Sequence, residues 1–95
     1  MTPFTDDERD QLSAGVRAGL LSLASNDPCG CAAQMGSLAL LAGSRGDEAF
    51  ERLLRLAADA AQAARDGSDL PTKLALRRVV SYLVTMGIAS DDTLH

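Results

Sequence analysis

Between Ala18 and Ser44 this chain carries a single charged side chain, Asp27. A surface helix of a small monomeric domain normally shows one charged or polar face, whereas a helix apolar nearly all round is buried nearly all round. A chain of 95 residues has little material with which to surround one of its own helices. Two arrangements satisfy the constraint. The uncharged stretch is either the central helix of a bundle, with a weakly apolar, alanine-rich outer face, or a helix held in a subunit interface. The second is the economical expectation. Because closed twofold oligomers are the commonest kind, it takes the form of a homodimer packed through the second helix.

Composition narrows the fold around that helix. Hydrophobic residues make up 46% of the chain, yet Phe4, Phe50 and Tyr82 are its only aromatics. The core must then be built from Leu, Ala, Val and Met, which suits closely approaching helices. No segment sustains the two-residue alternation of a half-buried strand. No apolar run reaches the roughly 18 residues of a membrane span, and no basic-then-apolar leader opens the chain. One cytoplasmic domain over residues 1–95, with two reduced thiols, is the expectation.

Punctuation divides the chain into four predicted helices, over about 5–24, 28–42, 47–65 and 70–86. Thr5-Asp6-Asp7-Glu8 reads as a capping box, in which hydroxyl and carboxylate each accept an otherwise orphaned amide. Leu12, Val16, Leu20 and Leu23 then form an apolar stripe. Asp27-Pro28 supplies an N-cap and a first-turn proline. Gly43 is the expected left-handed stop of the second helix. The third places Phe50, Leu53, Leu54, Ala57, Ala60, Ala61 and Ala64 inward, with Glu48–Arg52 and Glu51–Arg55 pairs outside. Gly67 ends it. The fourth follows Asp69 and Pro71, runs through Leu74, Val79, Leu83 and Val84, and stops at Gly87, leaving 90–95 as a frayed tail. Short connections make neighbours antiparallel, so an all-α, up-down four-helix bundle is expected.

On the second helix Ala32, Gly36, Ala39 and Gly43 would let another backbone approach, and Met35 is an adaptable filler. Met35, Leu38, Leu41 and Ala42 are the expected contact residues. Lys73, Arg77 and Arg78, with no acid between Leu70 and Ser90, would form a polar rim or bind an acidic partner. Alternatively, the acidic start of the chain (Asp6, Asp7, Glu8, Asp10) lies against them inside the bundle.

Cys29-Gly30-Cys31 is the one motif with chemistry of its own. A helix N-terminus favours thiolate, and a Cys-x-Cys ring would be strained and oxidising. Positions i and i+2 nevertheless diverge around a helix, and a buried Cys also serves simply as a small hydrophobe. With His95 as the sole histidine, one subunit cannot complete a zinc site without carboxylates, although two Cys-x-Cys pairs could meet across a dimer.

Nothing supports hydrolysis. No His-containing triad, Glu-x-x-His pair or glycine-rich phosphate loop is present. Nine basic against thirteen acidic residues give a net charge of −4, and no recognition-helix pattern appears, so nucleic acid is not an expected ligand. The sequence thus points to a non-enzymatic protein-interaction module without a cofactor, whose partners are itself and another protein. The alternative is a thiol redox or metal-responsive protein using Cys29 and Cys31.

Overall fold

Four helices form in chain order where the punctuation places them: α1 (Asp6–Ala24), α2 (Pro28–Ser44), α3 (Glu48–Ala63) and α4 (Leu70–Thr85). The structure, a computed structural model, describes residues 4–64 and 70–88, and contains no strand among them. No described helix is long and apolar enough to cross a membrane. The expected stop at Gly67 and the tail 90–95 lie outside the described residues.

Side-chain ties show how the helices alternate in direction. Glu8, at the start of α1, forms a bidentate pair with Arg45 just after α2, with Nη2–Oε1 at 2.6 Å and Nε–Oε2 at 2.9 Å. Arg9 donates to the Gly87 carbonyl after α4 at 2.7 Å, a cation at the negative end of that helix. Tyr82, late in α4, donates to Asp47, the N-cap of α3. The start of α1, end of α2, start of α3 and end of α4 therefore share one end of the molecule, as in an up-down bundle. α2 packs against α1 and α3, α4 against α3, and α1 meets α4 over a shorter stretch.

Local sequence accounts for the boundaries. Thr5 Oγ1 accepts from the Glu8 amide while Glu8 Oε1 accepts from the Thr5 amide, completing the capping box. α1, α2 and α4 all end in the same paired-bond stop, a Schellman motif. In the first, the Asp27 and Asn26 amides donate to Ser22 and Leu23 carbonyls. In the second, Asp47 and Gly46 donate to Ala42 and Gly43; in the third, Ile88 and Gly87 donate to Leu83 and Val84. The left-handed residue each motif needs is Asn26, Gly46 or Gly87, with φ of 65°, 77° and 71°. The stop of α2 is thus Gly46 rather than Gly43, and the helix runs to Ser44 rather than 42. Gly43 remains helical because Gly46 supplies the positive φ three residues later.

The core is aliphatic with one aromatic corner. Leu12, Val16 and Leu23 of α1, Phe50, Leu54, Ala57 and Ala61 of α3, and Leu76, Val79 and Leu83 of α4 are buried. All three aromatics meet where the four helix ends converge: Phe50 stacks on Tyr82 at 4.6 Å and meets the Phe4 edge at 6.4 Å. Leu74 departs from the expected stripe. α4 buries Thr72, Leu76, Val79 and Leu83 instead, and Leu74 points outward, 51% exposed. Of the two ion pairs expected on α3, Glu51–Arg55 forms at 3.1 Å, whereas Glu48 and Arg52 make none among the described residues.

Side chains of α2 lie directly on two glycines of α1. A Cβ on Gly15 would stand 2.8 Å from Leu38 Cδ2, and one on Gly19 would stand 2.6 Å from Met35 Cε. Within α2, Ala32 and Ala39 are core residues, and Gly43 faces the Glu51 carboxylate. Only Gly36 of the expected small-residue series opens onto empty space, with nothing within 4 Å of a Cβ built there.

Candidate interaction surfaces

α2 is uncharged chiefly because two neighbours cover much of it. Cys31, Ala32, Met35, Leu38, Ala39 and Ala42 form its buried face. Met35, Leu38 and Ala42, expected to contact a partner, are instead packed inside their own chain, so their side chains form no docking surface in this fold. Leu41 is half-buried against the same core. The opposite face is what a partner would meet. It carries Ala33, Gly36, Ser37 and Leu40, spaced i, i+3, i+4 and i+7 along one side of the helix.

That face borders a shallow groove between α2 and α3 of about 750 Å³, lined by Cys29, Ala33, Gly36, Ser37 and Leu40, with Arg55 and Gln62 across from them. Leu40 is 69% exposed, the most exposed large apolar side chain described. Arg55, the charged side chain in the lining, is already paired with Glu51. The groove therefore offers apolar and small side chains with little unpaired charge to desolvate.

Cys29 and Cys31 lie on opposite sides of α2, and both are free thiols. Cys29 lines the groove; Cys31 is fully buried, close to Gly19 of α1. The first turn stays regular: the Gly30 amide donates to the Asp27 carboxylate at 3.0 Å and the Cys31 amide to the Asp27 carbonyl at 3.2 Å. A helix start would lower a thiol pKa, but here burial pushes Cys31 up, and the Asp27 charge adds to that shift. The two sulfurs form no ring, and Cys31 is screened by its own chain from any thiolate site shared with a second copy. No cluster of three metal-ligating side chains occurs among the described residues. His95 lies outside them.

Lys73, Arg77 and Arg78 are exposed on α4, but they do not rim the α2 face, because α2 and α4 are not packed neighbours. Arg77 and Arg78 border a second groove, between α3 and α4. The acidic start of α1 leaves them alone: Glu8 is committed to Arg45, and no ion pair joins Asp6, Asp7 or Asp10 to Arg77 or Arg78 among the described residues. Leu40 and Leu56 are surface leucines that sequence periodicity did not single out, whereas Leu53 and Leu74, expected on inner stripes, line the α3–α4 groove. For Leu40 the i, i+3, i+4, i+7 series was visible, but an uncharged helix does not reveal which of its faces is the outer one.

The chain matches no protein-family model, and comparison with curated proteins and with solved structures finds no match.

Proposed function

We propose that this protein is a non-enzymatic interaction module, a small cytoplasmic adaptor, inhibitor or regulatory subunit that self-associates as a homodimer and binds another protein. The observation that carries the reading is the outer face of α2: Leu40 stands exposed beside Ala33, Gly36 and Ser37, and the one charge in the groove is already paired. Gly36 lets a second helix come close, and Leu40 supplies an apolar anchor. An uncharged face also spares two copies of a −4 chain the repulsion that their other surfaces would meet.

Sedimentation of the wild type and of Leu40→Glu across a dilution series tests this. The wild type is expected to dimerise, and the variant to be a monomer with unchanged helicity, because the substituted side chain lies outside the core. A wild type that stays monomeric at every concentration, or a dimer indifferent to the substitution, would overturn dimerisation through α2.

A further inference from the structure

The second groove lies between α3 and α4 and has a different chemistry from the α2 face. Leu53, Leu56 and Ala60 form one wall and Pro71, Leu74 and Ala75 the other, enclosing about 330 Å³ before the groove continues past Arg78 to Ser81. The Tyr82–Asp47 bond ties the end of α4 to the start of α3, so the walls run antiparallel, with Ala60 and Pro71 toward one end and Leu53 and Ser81 toward the other. From Pro71 to Ser81 the channel is roughly 15 Å long at the helical rise per residue, enough for two to three turns of a third helix. Leu56 and Leu74 are both more than half exposed on its walls.

Charge selects the occupant. α4 carries Lys73, Arg77 and Arg78 and no acid. Arg77 and Arg78 make no ion pair among the described residues, whereas Glu8 and Glu51 are committed to Arg45 and Arg55. Exposed Arg52 adjoins Leu53 at the same end of the channel, while Asp59 adjoins Ala60 at the other. Toward the Leu53–Ser81 end, Arg52, Arg77 and Arg78 thus outnumber the one exposed acid without an ion pair among the described residues on that part of α3, Glu48.

We propose that the α3–α4 groove docks an amphipathic helix of another protein, whose aliphatic stripe fills the channel and whose acidic residues face Arg77 and Arg78. Leucines at i, i+3 or i+4, and i+7 match a groove between two helices. Glutamates flanking that stripe at one end supply the charge complement, which sets orientation and speeds association. A recessed channel suits a helix better than a bilayer surface, which would be met by a protruding apolar ridge. The inference rests on reading the chain as an interaction module, but it does not depend on dimerisation through α2.

The test uses two labelled synthetic helical peptides with the same leucine stripe, one flanked by glutamates and its twin by lysines, followed by fluorescence anisotropy against the full chain. The glutamate peptide is expected to bind, to weaken as salt is added, and to lose about tenfold in affinity with the double variant Arg77→Gln, Arg78→Gln. Leu74→Gln is expected to weaken it comparably, and Leu21→Gln, an exposed leucine of α1 outside either groove, to leave it unchanged. Each substituted side chain is exposed, and circular dichroism verifies the fold.

Equal binding of both peptides, no binding of either, or binding insensitive to the arginine variants would overturn the proposal. So would binding to anionic phospholipid vesicles, lost in the arginine variants, with no peptide binding. Sedimentation of the same samples separates the two readings. A dimer that ignores the peptide removes this inference alone, and a monomer that binds it removes dimerisation alone. If Leu74→Gln rather than Leu40→Glu breaks a dimer, the groove belongs to a second copy and both readings fall.

Discussion

The turn between α1 and α2 and the turn between α2 and α3 are built by one device and yet hold very different amounts of the molecule together. Each is a Schellman stop followed at once by an Asp N-cap, Asn26-Asp27 in the first and Gly46-Asp47 in the second. Asp27 caps the Gly30 amide and stays exposed. Asp47 caps the Phe50 amide at 3.2 Å, is only 3% exposed, and accepts from the Tyr82 hydroxyl at 2.6 Å. Arg45 beside it holds Glu8 of α1. The first turn joins two helices, whereas the second is the point where all four helices are tied. Local sequence determines a turn's backbone; what a capping carboxylate does with its second oxygen depends on which distant side chain arrives there.

Removing each cap tests the contrast, and the largest effect belongs to Asp47→Ala. It loses a cap and leaves the Tyr82 hydroxyl without its acceptor, a combined cost of about 2–4 kcal/mol in denaturant unfolding. Asp27→Ala loses only the cap, about 1 kcal/mol. Equal losses at the two sites would break the comparison. Smaller still are the left-handed positions: Asn26→Gly should stabilise and Gly46→Asn destabilise, each by about 0.5 kcal/mol, because only the cost of positive φ changes. Effects of the same sign would show that the two stops are not equivalent.

Titration sharpens the same contrast. Burial first, and then the Asp47 carboxylate, push the Tyr82 phenol up to about 12. Tyr82 is the only tyrosine, so tyrosinate absorbance reports it alone. Asp47→Asn keeps a cap and an acceptor but removes the charge, and should bring the midpoint down. A folded value above the unfolded one means that this stabilisation is fully present below about pH 10 and is lost as pH rises toward about 12. Glu8 has the opposite sign. The Thr5 amide and then the Arg45 guanidinium hold its carboxyl below the usual range. Its contribution is present above the unfolded value and disappears as pH falls through the folded one. Glu8→Gln should therefore flatten the acid limb of the stability curve and leave the alkaline limb alone.

The helices were legible in the sequence because their signals are local: the Thr5–Glu8 box, the Asp27-Pro28 cap, and Gly87. The aromatic corner was not, since nothing near Phe4, Phe50 or Tyr82 in the chain points to the other two. The outer face of α2 was misassigned for a physical reason. A helix without charge gives no contrast between its sides, so Met35–Leu38–Ala42 and Ala33–Ser37–Leu40 look equally fit for a partner until α1 and α3 cover the first. The basic residues of α4 were visible, but their pairing with the α3–α4 groove depends on packing order.

The most direct test of dimerisation through α2 is alkylation of Cys29, the exposed thiol on that face, in wild type and Leu40→Glu across a range of protein concentrations. The account predicts that Cys29 in the wild type reacts more slowly as concentration rises, while the variant reacts at one fast rate throughout and Cys31 stays protected in both until the chain unfolds. A Cys29 rate independent of wild-type concentration would contradict it.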